Sequence, residues 1–277
     1  MKIIKIMIVS IIILGITSCV NDNSNDSLKW NFKNFKKLKY SYIQISENKA
    51  PFGMDEKMFN EAKGTLIVSV KESGKADLIF KELKMSMFSV SENGDTNRMM
   101  SQTAPDFFMQ DMDETGKIDG QLNQQTELFA KTLFPIPGKD MSLKSTIDLP
   151  VTMPFNMFGS VINVKGYNKV TLVSIDENIA SLTTILDVSE YDIPEDANVD
   201  YECYMKGNSD YLFNLDKGYF TKADLNITMV AKFVSPEKED EEDNSSSKST
   251  DDMLQKMSKG FGMEMKTNIK LELKEVE

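Results

Sequence analysis

The chain of 277 residues contains no histidine, a single arginine at Arg98 and only two cysteines, Cys19 and Cys203. The first absence removes Ser-His-Asp and Cys-His nucleophilic systems, imidazole-ligated zinc and the usual proton shuttle near neutral pH. One guanidinium cannot build a multi-arginine clamp on phosphate or carboxylate. No Gly-x-Ser-x-Gly elbow, phosphate loop, HExxH or CxxC occurs, and no repeat of fixed period. Basic side chains are outnumbered by acidic ones, 32 to 43. A surface of that sign repels phosphate backbones and speaks against nucleic acid as a partner. Carboxylates are so numerous that no single pair is marked out for a hydrolase.

What is present begins with an address. Lys2 and Lys5 precede the apolar run from Ile6 to Leu14, and Gly15-Ile16-Thr17-Ser18-Cys19 follows. This is the grammar of a signal peptide over residues 1–18. The run is too short for the ~20 residues of a membrane-spanning helix. Ile16-Thr17-Ser18-Cys19 resembles the bacterial lipobox, which implies cleavage before Cys19, a covalent lipid on that cysteine and a membrane held through it. Val20, where an aspartate would retain the protein at the inner membrane, resembles the pattern that permits transfer to the outer membrane. Loss of the leader removes two lysines and no acid, leaving 30 basic against 43 acidic side chains, a net charge of −13. Residues 19–28 read as a polar tether reaching at most ~30 Å at ~3.3 Å per residue. With Cys19 lipidated, Cys203 has no intramolecular partner and reads as a small buried hydrophobe in a strand.

From Leu38 onward the hydrophobic period is two, the strand signal. Met263, Met265, Thr267, Ile269, Leu271 and Leu273 alternate with Glu264, Lys266, Asn268, Lys270, Glu272 and Lys274. Ala223, Leu225, Ile227, Met229, Ala231 and Phe233 alternate in the same way. Further runs start at Leu38, Leu66, Leu83, Val170 and Ala180. One-sided strands of this kind predict an antiparallel sheet. Only Leu122 to Phe134, closed by Pro135 and Pro137, reads as a helix of any length. Trp30 and Phe32, interleaved with lysines, read either as a lead-in packed on the first strand or as a patch leaning on a bilayer. Residues 235–260, rich in Glu, Asp and Ser, read as a disordered acidic loop joining the last two strands.

Two clusters invite a ligand. Asp111, Asp113, Thr115, Lys117 through its carbonyl, and Asp119 carry the spacing of the first part of an EF-hand, with Gly116 at the bend. Leu122 stands where the bidentate glutamate belongs, so the expectation is at most a weak calcium site, and the plainer reading is a turn between two strands. The second cluster is apolar. Met229 and Phe233 on one strand and Met263 and Met265 on the next fall on one face near the loop end of the sheet, where they predict a site for an apolar ligand. The 19 methionines of the chain suit an adaptable lining as well as ordinary core filling.

The lipobox, the turn Gly116-Lys117-Ile118-Asp119-Gly120, the helix ending Leu133-Phe134-Pro135 and the turn Phe213-Asn214-Leu215-Asp216-Lys217-Gly218 resemble Bacteroidota-type envelope lipoproteins of a domain-of-unknown-function family. The resemblance implies a fold and an address, and no activity. The expected architecture is a single β-rich domain over residues 29–277, a strongly curved antiparallel sheet or open half-barrel with one helix against its concave side. Such an outline is similar to the half-barrels of lipid-binding lipoproteins. The expected function is a non-catalytic binding module for an apolar ligand or a protein partner. The alternatives are an assembly accessory docking another envelope protein and, last, a carboxylate hydrolase.

Overall fold

The computed structural model describes residues 26–49, 57–91, 93–118, 124–157, 160–191, 200–234 and 261–277. Residues 1–18, read above as a signal peptide, Cys19, Asp119 and the acidic segment 235–260 lie outside the described residues. In chain order the elements are β1 (Asp26–Ser27), β2 (Lys37–Lys49), β3 (Lys57–Val70), β4 (Ala76–Val90), β5 (Thr96–Thr103) and β6 (Phe107–Met112). They continue with α1 (Gln124–Leu133), β7 (Asp140–Met141), β8 (Thr146–Met157), β9 (Ser160–Asp176), β10 (Ile179–Glu190), β11 (Asp200–Asn214), β12 (Tyr219–Val234) and β13 (Phe261–Val276). Eleven strands form one antiparallel sheet in the order β5-β4-β3-β2-β13-β12-β11-β10-β9-β8, with β6 sharing the outer side of β4. Apart from β6, which reaches back past β5 to β4, every link joins strands consecutive in the chain except one. The C-terminal β13 pairs with β2 and so joins the two halves of the chain.

The sheet is curved and open. Phe129 of α1 meets Phe80 of β4 at 5.9 Å between ring centres, while the same helix packs on β8 and its Thr132 carbonyl accepts the Tyr211 hydroxyl of β11 at 2.6 Å. Seven strands separate β4 from β8, which in a flat sheet puts them ~38 Å apart, several helix radii out of reach. One ten-residue helix touches both because the sheet wraps around it. Glycines permit the bend. A Cβ on Gly166 or Gly207 would lie 2.0 and 2.3 Å from the carbonyl oxygens of Asp187 and Asn226 on the adjoining strand, a clash that no other residue avoids.

The inward face carries two apolar clusters. At the end where α1 and residues 28–36 cover the sheet, Trp30, Tyr40, Phe134, Tyr211, Phe213 and Phe220 are almost wholly buried together. Trp30 sits 5.2 Å from Phe134 and 5.6 Å from Phe220, so its ring belongs to this core and not to a bilayer surface. Burial holds the phenols of Tyr40, Tyr42 and Tyr211 above their ordinary pKa. A second cluster lines the other end of β8 to β12, where Val164, Val188, Cys203 and Met205 are buried with Leu128 of the helix. Cys203 is buried in a strand, as its neighbours in sequence imply, and that burial raises its thiol pKa. Every described element and every core residue lies between Asp26 and Glu277.

Candidate functional site

Strand register, more than local sequence, assembles the candidate site. On the inward face Val188, Met205, Met229, Met265, Asn48 and Met58 stand opposite one another in a single row across β10, β11, β12, β13, β2 and β3. Side chains paired in this way lie ~5 Å apart and touch. Met263 stands opposite Ala231 one step further out. Phe233 takes the next inward position, opposite Phe261, though its side chain is outside the described residues. On the far arm Met85, Met87 and Met100 face the same way from β4 and β5. With Met153 of β8, nine of the 19 methionines line the half of the concave face remote from the aromatic core. Met263 and Met85 are each 38% exposed and Met100 45%. Met229 is half-buried against the second cluster.

Three of the four apolar positions expected from sequence are thus brought together with their side chains described. The alternation Leu83, Met85, Met87 was legible, but nothing local places it across the trough from Met229. Only the β13 to β2 pairing does that.

Below the methionine row the face turns neutral and polar. The Tyr42 hydroxyl donates to Gln44 Oε1 at 2.5 Å, Gln44 Nε2 donates to Ser46 Oγ at 3.1 Å, and Ser46 Oγ shares a hydrogen bond of 2.9 Å with Thr267 Oγ1. In the same row, four strands from Thr267, Asn168 is 1% exposed. Neither its amide oxygen nor its amide nitrogen has a hydrogen-bond partner. Among the described inward positions of the sheet strands there is no Asp, Glu, Lys or Arg. The outward face is the reverse. There Lys49 and Lys266 pair with Glu264, Lys206 with Asp187 and Lys232 with Glu202. The Lys49 ammonium holds the Glu264 carboxyl below its ordinary pKa. A hollow of about 490 Å³ on that outer side is lined by Glu47, Lys206 and Lys266 among others.

No protein-family model and no curated protein matches this chain.

The acidic cluster folds as a turn. Met112 and Ile118 bridge across it, and strand β6, not a helix, leads into it. Asp113 Oδ1 accepts the backbone N–H groups of Thr115 and Lys117 at 2.9 and 3.0 Å and the Thr115 hydroxyl at 2.7 Å. Gly116 has φ +77°, the left-handed conformation such a turn needs. Asp111 points elsewhere, to Lys71 Nζ at 2.8 Å, which Asp77 shares at 2.9 Å. Asp111, Asp113 and Thr115 thus make these contacts with protein groups, and Asp119, the last of the expected ligands, lies outside the described residues.

Proposed function

We propose that this chain is a lipid-anchored envelope protein that acts as a non-catalytic binding module, holding an apolar ligand in the methionine-lined trough. The observation that carries the reading is the uncharged, partly exposed inward face around Met229, Met263 and Met265, on a protein whose outward face is laced with ion pairs. Soluble proteins rarely leave an apolar concavity of this kind uncovered unless something binds there. Thioethers adapt to chains of varied shape. The anchor rests on the lipobox at Cys19. β1, the first described element, pairs with β7 at the aromatic end, the end remote from the trough. In the chain beginning after the leader with Cys19→Ala, a neutral hydrophobic dye should bind saturably, and Met265→Glu or Met229→Glu should abolish the binding. Unsaturable uptake by a well-folded protein would reject the site. In cells, Cys19→Ala should leave the protein unprocessed or free of membranes; normal fractionation with membranes would remove the anchor from the reading.

A second reading, an accessory that docks a partner along a sheet edge, draws on the difference between the two edges. β8 carries Pro150 and Pro154, which cannot donate to an added strand. All eight residues of β5 are exposed, Met99 by 58%, with no proline among them. Strand addition there is what a docking edge would use.

A further inference from the structure

We propose that the ligand of the trough is an amphiphile with an uncharged head, an acyl chain joined to an ester, amide or alcohol, and that Asn168 receives the polar group while the methionines take the chain. This rests on the binding reading above and narrows it to a class. Among the described residues, the inward positions of the sheet strands offer no cation to a carboxylate or phosphate and no anion to an amine. An ionised head drawn in among them would lose its water without gaining a partner, which is far costlier than burying a neutral one. An ester or alcohol carries no such penalty if one hydrogen-bonding group meets it.

The polar groups on this face differ in whether they are already satisfied. Ser46, Gln44 and Thr267 are tied to one another. Asn168 is tied to nothing, with both amide atoms bare at 1% exposure. Buried amides in folded proteins almost always have partners, so a bare one calls for a missing partner. Its N–H₂ donates and its oxygen accepts, which fits the carbonyl and hydroxyl of a glyceride or the two sides of an amide. It lies one inward step along β9 from Gly166, which is opposite Val188 of the methionine row, so a head at Asn168 leaves the chain to run along Met205 and Met229.

The test uses the chain beginning after the leader with Cys19→Ala, loaded with N-phenyl-1-naphthylamine, and displaces that dye with monolaurin or with laurate at neutral pH. The two share a chain and differ in the charge of the head. Monolaurin should displace the dye at a concentration about tenfold lower or better than laurate, and Asn168→Leu should weaken monolaurin by about tenfold, the worth of one hydrogen bond, while leaving the dye itself bound. Equal displacement by laurate would overturn the neutral-head assignment although the trough still binds. Unchanged monolaurin affinity in Asn168→Leu would show that Asn168 meets an internal water instead. If Asn168→Leu does not fold, the ratio of monolaurin to laurate on the otherwise unaltered chain still decides the class. Failure of the dye to bind at all would strike the binding reading itself, a separate outcome.

Discussion

Phe220→Ala probes the aromatic core on which the curved sheet depends. The ring is 1% exposed and lies 5.0 Å from Phe213, 5.4 Å from Phe134, 5.6 Å from Trp30 and 5.8 Å from Tyr211. These neighbours come from the lead-in, the end of α1 and β11, so truncation leaves a cavity that three segments would have to close together. Removing a wholly buried phenylalanine costs ~3–5 kcal/mol, and loss of several edge-to-face contacts puts this site in the upper part of that range. For a chain of this size that corresponds to a melting point lower by roughly 10–15 °C. The chain carries one tryptophan, and Trp30 is itself in the box, so denaturant unfolding followed by its fluorescence reads this core while circular dichroism reads the sheet. Both transitions should move together by the same amount. A loss under ~1 kcal/mol, or a Trp30 emission already solvent-like before the sheet melts, would refute the view that the lead-in and the sheet form one cooperative core.

Three further outcomes follow from particular groups. Tyr40, Tyr42 and Tyr211 have folded pKa values raised by burial above the ordinary 10.0, so the stability they confer is whole below pH ~10 and declines above it, by ~1.4 kcal/mol per pH unit for each phenol; absorbance titration should find three tyrosines that ionise only on unfolding. Asp113→Ala, which strips an acceptor from two N–H groups and a hydroxyl, should lower stability by ~1–2 kcal/mol, equally with and without calcium, and a melting point that climbs with calcium only in the unaltered protein would show that the turn holds the ion. Replacing Pro236 to Met257 by a short glycine linker should preserve a cooperative melt, since β12 and β13 are already in register at Phe233 and Phe261 and closure entropy changes slowly with length; a lost transition would show that the acidic segment supports the fold.

The strands easiest to read in the sequence, β2, β12 and β13, are those with one face on the core and one in water, where alternation is imposed residue by residue. The helix was legible too, from Leu128, Leu133 and the prolines after it, and begins at Gln124. β8 was not, because Pro150 and Pro154 contradict a strand unless it lies at an edge, where their missing N–H groups face outward. β5 escaped for the opposite reason: wholly exposed, it has no apolar period to detect. The site was half legible. Met229, Met263 and Met265 announced themselves by sharing a hairpin, whereas Met58, Met85, Met87 and Met100 joined them through one pairing between distant ends of the chain. Asn168 gave no signal at all, since a lone amide in a strand differs from its neighbours only once its surroundings are known.

The gap between β8 and the β5/β6 edge has a mechanical meaning. A closed barrel fixes its bore, because the hydrogen bonds that complete the ring lock strand number to stagger. Here the sheet ends on both sides, and away from the bridging helix α1 the distance between its arms is set by how tightly the strands twist and coil. Spreading or drawing in the arms breaks no ladder bond. The trough is built like an open clip, tied together where α1 and the aromatic rings join the arms and untied at the methionine end, and on the binding reading proposed above that end is where cargoes of different girth would fit with the base of the clip unmoved.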